Sequence, residues 1–497
     1  MTRIKLPSFT LLVALALGWS VDLFFYGKAL GISVPLFVLL LIIALFSLSW
    51  LEGVRPAWCN LWLLVPLVFF ATMVFVRANP FVTFLNVGVS LVLLGLVAYF
   101  YAAGRVERLG LVGYPIVLLL TMANALTQPP SLMSASATLK AAREQGSRNL
   151  LPVVRGCLLA LPVLAIFTWF LASADLIFAD YLEDILHLEF LSDPLELLWR
   201  GVIILGVAWF LAGGLAYALS RGRMSANENA LEKALDSLAQ AISLGFIEVT
   251  TVLILVDLLF LVFVWIQFTY LFGGQANVTL EGYTYAEYAR RGFFELLAVS
   301  VLTLGLILGL HRLVRCETGW QRRIFNGLSS LMVGLVLVIL ASAFQRLLLY
   351  EAAYGYTQLR LYSHVFMVWL AVTFVWLLAT LWLRPDRFAI GAFLAILGFV
   401  LTLNAINPDA LIAERNLARY QATGKLDVHY LTTLSEDVVP ALVLAMDQVT
   451  GDERERLSDH LRDRLGRMEE DTRWQSWPSL HLARWRAYEL LVESQLN

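Results

Sequence analysis

Charge is what this sequence has least of. Only 15% of its 497 residues are Asp, Glu, Lys or Arg, against 59% hydrophobic, and the mean hydropathy is +0.74. That balance excludes an ordinary soluble enzyme, in which about half the residues are apolar and about a quarter charged. Neither sign dominates, and a net charge of −2 gives no bulk attraction to nucleic acid. Cysteine is nearly absent. Cys59, Cys157 and Cys316 lie far apart with no CxxC spacing, so they read as apolar fillers or loop thiols before they read as a disulfide or metal ligands. Six scattered histidines offer no zinc cluster, and HExxH, GxxxxGK[ST] and GxSxG are all missing. No catalytic residue, cofactor or metal is expected, and nothing marks the chain as an enzyme.

What the chain does have is twelve apolar runs, near 8–26, 32–50, 57–76, 81–103, 111–127, 150–172, 199–220, 245–272, 290–314, 324–348, 360–383 and 388–407. Most reach the roughly 20 residues that cross a hydrocarbon layer about 30 Å thick. Lipid supplies no hydrogen-bond partners, so each run must close its own backbone as a helix. The ten-residue alternation of a membrane barrel is absent. Trp50, Trp58, Tyr99, Tyr101, Tyr270 and Trp382 stand at run ends, where interfacial aromatics belong. The expected fold is an all-α polytopic transmembrane helix bundle of about 12 spans over residues 1–407, followed by a soluble helical segment at 408–497. Arg3 and Lys5 before the first run resemble a signal peptide. No small-residue cleavage site follows, so a retained first helix is expected.

Lys and Arg in short loops set orientation. Lys140, Arg143, Arg148 and Arg155, then Arg221, Arg223 and Lys233, then Arg312, Arg315, Arg322 and Arg323, then Arg384 and Arg387 fall in alternate loops, which should be cytoplasmic. Segments 173–198, 273–289 and 349–359 and the tail are then outside. With twelve full spans the amino end, Arg105 and Arg108 are outside too, against the rule. The run 111–127 is short and carries Pro115 and Asn124; if it is re-entrant, the amino end moves inside and most of the conflict goes. The arrangement expected is a multi-pass membrane protein with an extracytoplasmic C-terminal segment.

Segment 173–198 holds seven acidic residues and no Lys or Arg. Ile177, Tyr181, Ile185 and Leu188 repeat at helical spacing, which fits an amphipathic helix on the outer membrane surface, with a cation-binding vestibule as the alternative. In the tail, Leu457, Leu461, Leu465 and Met468 form one apolar stripe and Ala483, Ala487, Leu490 and Leu491 another. Asp437 is placed to cap a helix with Pro440 in its first turn. The string WQSWPSLHLARWRA suggests either the tail's own core or packing on a membrane surface or partner.

Ionisable groups inside the runs are costly, about 2.5–3.5 kcal/mol at a helix centre. Asp257 is the clearest case. Glu248 is nine residues earlier and Gln267 ten later, so the three do not form one polar stripe. Glu287, Arg291 and Glu295 recur every four residues as a charge ladder entering the ninth run. Arg360 and His364, also four apart, enter the eleventh, with Gln345 and Arg346 ending the tenth nearby. Asp257, Arg291, Glu295, Arg360 and His364 form the candidate intramembrane polar site. The competing reading is pairing that fixes helix register. Asn86, Asn124 and Asn404 are expected to bond between helices. GYT at 282–284 and again at 355–357 hints at a parallel two-helix repeat.

Seven strings carry a family resemblance: NPFVTFLN at 79–86, SASATLKAAREQGSRNLLPVVRG at 134–156, ASADLIFADYL at 172–182, WIQFTYLFGG at 265–274, GYTYAEYARRGFFELLAV at 282–299, YGYTQLRLYSHVFMVWL at 354–370 and LDVHYLTTLSEDVVPAL at 426–442. Together they resemble the bacterial membrane proteins catalogued as domain of unknown function 4173. The resemblance implies a polytopic bacterial membrane protein and supplies no catalytic residues. The function expected is transport or small-solute and ion handling through a polar intramembrane cavity. The alternative is a sensor, scaffold or assembly protein acting through its tail, and an enzyme acting on a lipid comes third. The expected partners are the lipid bilayer and a protein at the C-terminal segment, with no nucleic acid.

Overall fold

The computed structural model describes residues 4–136, 194–220, 244–271 and 293–494. Among these the architecture is all-helical; one isolated bridge, Leu244 to Val314, is the nearest approach to a sheet. The membrane helices are α1 (Pro7–Phe25), α2 (Ser33–Glu52), α3 (Leu64–Val76, entered by a 3-10 turn at Trp58–Leu63), α4 (Pro80–Phe100), α5 (Gly113–Thr127), α6 (Pro129–Ala135), α7 (Pro194–Ser220), α8 (Phe246–Leu271), α9 (Phe293–Leu313), α10 (Gly319–Tyr354), α11 (Gln358–Leu383) and α12 (Phe388–Ile406). The C-terminal helices are α13 (Pro408–Thr423), α14 (Val428–Thr432), α15 (Val439–Ala445), α16 (Asp452–Glu470) and α17 (Leu482–Glu493). Ten helical segments among the described residues are long and apolar enough to cross a membrane. Their outward faces are greasy: on α8, Leu255, Leu259, Val262 and Trp265 are all exposed. A helix apolar all round belongs in lipid.

The bundle has two ends. At one, which we call the cap face, the C-terminal helices cover the loops 26–32, 77–79 and 355–357. Phe24 meets Trp477 edge-on, the Ile32 N–H donates to the Leu480 carbonyl, and the Gln358 N–H donates to the Tyr430 hydroxyl. At the far face, Glu52 accepts from the N–H groups of Lys5 and Leu6, the Ala57 N–H donates to Tyr101, and Arg387 pairs with Glu107. The chain therefore starts at the far face and finishes at the cap face.

The expected run at 111–127 turns out to be bent. Pro129 and Pro130 follow Gln128, and a proline lacks the N–H that the next turn needs. Helix α5 stops there and α6 leaves at 40° to it. Tyr114 stacks on Phe393 near the far face, and Ser136 returns to hydrogen-bond Ser8 at the start of α1. The 40° bend makes α5–α6 a broken segment of the bundle, with Tyr114 and Ser136 both toward the far face. Residues 136 and 194 stand at opposite ends; the expected run 150–172, most of the acidic segment 173–198, the loop 273–289 and the first GYT all fall outside the described residues.

Two boundaries move. The tenth run, expected to end at 348, is a helix of 36 residues reaching Tyr354, so Gln345 and Arg346 lie within it and the loop 349–359 shrinks to 355–357. At 1.5 Å per residue it is about 54 Å long and outreaches the hydrocarbon. A capping box at Thr318 and Gln321 starts it.

Small residues let two antiparallel helices close. Thr10, Ala14, Gly18 and Asp22 repeat every four residues on α1, and all are buried. They face α7, where Ala208, Ala212 and Ala216 are buried at the same spacing. A Cβ on Gly18 would collide with the Ile204 carbonyl and with Ala208. Without a hydrophobic drive between helices in lipid, such close backbone approach supplies the packing. Arg200 closes the seam with a two-pronged pair to buried Asp22, its Nε 2.9 Å from Oδ1, while stacking over Tyr26. Gly18→Val should force the helices apart and lower the detergent-state unfolding free energy by about 1–3 kcal/mol, the usual cost of overpacking, read by thermal unfolding of purified protein.

Candidate functional site

The break between α3 and α4 leaves the N–H groups of Ala78 and Asn79 without helical acceptors, and the C-terminal helices supply one. Asp437 Oδ2 accepts from the N–H groups of Ala78 (2.7 Å) and Asn79 (3.2 Å). His481 donates from Nε2 to the Arg77 carbonyl at 3.2 Å. Asn79 caps α4 by accepting from Val82, and its amide donates to Asp409 at 2.9 Å. Asp409, fully buried, also accepts from Gln358 at 2.7 Å and from the Ser435 hydroxyl at 2.6 Å. Tyr362 donates to the Asn79 side chain. Below this layer Asn86 and Asn404 exchange reciprocal amide bonds of 2.9 and 2.7 Å, and Arg77 donates to the Asn404 carbonyl. A buried polar network thus ties α4, α11, α12 and α13 to the helices that follow.

The local sequence explains each placement. Asn79-Pro80 is a cap followed by a first-turn proline. Asn407 adopts a left-handed φ of 48° and Pro408 starts α13, so the chain turns a sharp corner from membrane helix to cap helix. Asp437 was expected to cap its own helix. Instead α15 starts without a side-chain cap and the carboxylate reaches across 359 residues to the 77–79 loop. Asn86 and Asn404 bond between helices as expected, whereas Asn124 donates to Leu120 of its own helix. The Trp-rich string is the docking seam: Ser479 and Leu480 lie against Gly31, where any side chain would strike their backbone.

A second group of charges sits between α8, α10 and α11. His364 Nδ1 is 3.2 Å from Glu351 Oε1, both side chains buried. Arg346 and Ser342 both donate to Gln267 at 3.1 Å. Arg360 lies 4.0 Å over the Tyr350 ring and donates to the Gly355 carbonyl. Of the candidate residues, Arg360 and His364 therefore share one helix pair. Asp257 lies on the buried side of α8 with Val249, Leu253 and Val264, ten residues before Gln267, and both its carboxylate oxygens lack a hydrogen-bond partner among the described residues. Glu248 is exposed on the far side, as its half-turn offset requires; Gln267 is buried with Asp257 but joins the Arg346 network, which Asp257 does not. Glu295 is exposed, and Arg291 and Glu287 lie outside the described residues. Glu351 was missed because it sits beyond the expected end of its run. No cluster of metal-ligating side chains occurs among the described residues.

A cavity of about 450 Å³ opens beside the polar junction. Its walls come from the α1–α2 loop, through Lys28 and Ala29, and from the C-terminal helices, through Ser435, Arg464, Met468 and Trp474 among others.

The junction carries opposed titrations. Burial pushes the Asp437 carboxyl up from 3.8 to about 6, with Asp409 adding to the rise and the Ala78 N–H and Arg77 opposing it. Burial and the neighbouring Arg484 pull His481 down from 6.5 to about 4. When the cap undocks, both groups return to ordinary values. Between about 4 and 6 the docked Asp437 holds more protons than the undocked, so its contribution weakens as pH rises; docked His481 holds fewer, so its contribution weakens as pH falls. Each amounts to about 3 kcal/mol at most, and they offset. Asp437→Asn should leave docking that weakens on acidification from 6.5 to 4. His481→Gln should leave docking that weakens as pH rises from 4 to 6. Calorimetry of the detergent-solubilised variants across that range reads both slopes.

No curated protein and no solved structure matches the chain at a significant level. The family resemblance needs one correction: the matching family model is 4153, not 4173, and all seven quoted strings fall inside its span. Residues 64–445, from the start of α3 to the end of α15, match the model described as Domain of unknown function (DUF4153), and the chain belongs to that family.

Proposed function

We propose that this protein is a membrane-anchored scaffold with a sensing role, in which residues 1–407 hold the bilayer and residues 408–497 form a soluble helical cap facing outward. The observation that carries the reading is the buried junction at Asp409, Asp437 and residues 77–79. A cap merely tethered by a linker needs no such network; one that must keep a fixed pose on its anchor does. Exposed Leu444, Trp477, Leu482 and Trp485 on the cap offer apolar area for a protein partner or the membrane surface.

Orientation follows from the distribution of cations. Lys5, Arg55, Arg105, Arg108, Arg312, Arg315, Arg322, Arg323, Arg384 and Arg387 gather at the far face. The short cap-face loops carry Lys28 and Arg77. The positive-inside rule supports a cytoplasmic far face and an outward cap, the arrangement we propose for a bacterial inner membrane. A cysteine placed at Leu444 in a cysteine-free chain should react with a membrane-impermeant maleimide in intact cells, and one at Arg315 only after lysis. The reverse pattern ends the proposal.

A second reading, ion or small-solute handling, is favoured by Asp257 alone. An unpartnered carboxyl in a spanning helix is costly, and such groups commonly mark ion or proton paths. Candidate partners along the path are Arg291, Glu295, Arg360 and His364. Asp257→Asn should fold with unchanged or higher thermal stability in detergent, since no partner is lost. If it also abolishes the host phenotype of deleting the protein, the pathway reading stands; if the phenotype persists unaltered, Asp257 has no part in function.

A further inference from the structure

The cavity at the cap junction is strongly cationic. Lys28, Arg464, Arg467, Arg473 and Arg484 line it, against Glu436 and Asp471. The charges are not equally committed. Arg473 is held by Asp471 at 2.9 and 3.0 Å, and Arg484 is a loose 3.9 Å from Glu436. Arg467 is exposed, and its guanidinium has no hydrogen-bond or ion-pair partner among the described residues.

Arg464 is the unusual member. It is nine-tenths buried, and it donates to three backbone carbonyls, of Ser435 (3.0 Å), Thr432 (3.1 Å) and Leu434 (2.7 Å). Those carbonyls satisfy its N–H groups but leave its charge intact, and no carboxylate lies within 4 Å of it among the described residues. A buried cation whose nearest acids, Glu436 and Asp409, act on it only from beyond 4 Å is expensive to hold, and its field reaches the cavity it lines. An anion entering the cavity would relieve that cost.

The rest of the lining says what kind of anion. Met468, Leu434 and Trp474 give an apolar side, and the indole N–H of Trp474 is already spent on the Met468 carbonyl at 2.6 Å. The mouth borders the α1–α2 loop, where two membrane helices emerge, beside exposed Leu30, Trp477 and Leu480. A volume of about 450 Å³ suits a small ligand or a headgroup. Guanidinium groups match phosphate oxygens in geometry as well as charge. We propose that this cavity binds the phosphate of an anionic phospholipid headgroup drawn from the leaflet under the cap. The inference deepens the scaffold reading and rests on its assignment of the cap to a membrane surface.

The test uses the full chain purified in a zwitterionic detergent, with dioctanoyl phosphatidic acid as probe and dioctanoyl phosphatidylcholine as control, followed by native mass spectrometry and calorimetric titration. Phosphatidic acid should bind one to one, weaken steeply with salt, and lose at least tenfold in affinity in Arg467→Glu/Arg484→Glu; Arg467 is exposed and Arg484 is half-buried beside His481, so the unfolding temperature of the double variant is read alongside and must match wild type. Arg464→Met serves as a second variant, scored only if it retains the wild-type unfolding temperature; it too should lose at least tenfold. Equal binding by the double variant overturns the site. Equal affinity for the two lipids, or for neither, overturns the anion. Inorganic phosphate or glycerol 3-phosphate binding as tightly as the lipid overturns the membrane source in favour of a soluble ester. If Leu444 labels from outside and phosphatidic acid does not bind, this inference falls while the scaffold reading stands.

Discussion

Two carboxylates, Asp409 and Asp437, hold the position of everything at the cap face. Hydrocarbon and a dry interface share one demand: a backbone N–H that leaves a helix must find an acceptor. At residues 77–79 the chain leaves α3 and has not yet entered α4, and the acceptors come from residues far along the sequence. Asn79 and Gln358 bring a second loop and a second helix to the same carboxylate, Asp409. Removing either acid would strand several donors at once, which is why the junction behaves as one unit and not as a sum of contacts.

The membrane helices were legible because their solvent writes the pattern. A run of about twenty apolar residues admits one backbone solution, whereas the bend after α5 comes at Pro129 and Pro130 and not at the Pro115 and Asn124 that mark the run. The tail stripes were partly plain: Leu457, Leu461, Met468, Ala487 and Leu491 are buried as their spacing required, while Leu465, Ala483 and Leu490 are half-buried. The junction was not legible. Asp437 looked like a helix cap because local chemistry is all a sequence window contains, and its true partners are separated from it by most of the chain. Helix α10 was read too short for a related reason. Gln345, Arg346 and Glu351 end a hydrophobic window, but a helix does not stop where hydrophobicity does when its polar side chains find partners on α8 and α11.

The candidate polar residues separate on the same principle. Arg346, Glu351 and His364 lie where helices meet and each has a neighbour to satisfy it. Their chemistry is consistent with fixing the register of α8, α10 and α11. Asp257 has burial without a hydrogen-bond partner among the described residues, and Arg464 has its donors satisfied by carbonyls while its nearest acids, Glu436 and Asp409, stand beyond 4 Å. Those two leave an electrostatic debt inside the molecule, one in the bilayer and one in the cap, and they set the two functional readings apart.

Helix α10 also changes what the cap can feel. Its last turn is gripped by Arg419 of α13, which donates to the carbonyls of Ala352 and Ala353, while its first turn stands at the far face beside the end of α11. A rigid rod that outreaches the hydrocarbon on a single axis behaves as a lever. Thinning or thickening of the surrounding lipid alters the lean of such a rod, and the swing is greatest at its tip. Here the tip is clasped by the cap through Arg419, so any change in the tilt of the rod would carry α13 with it.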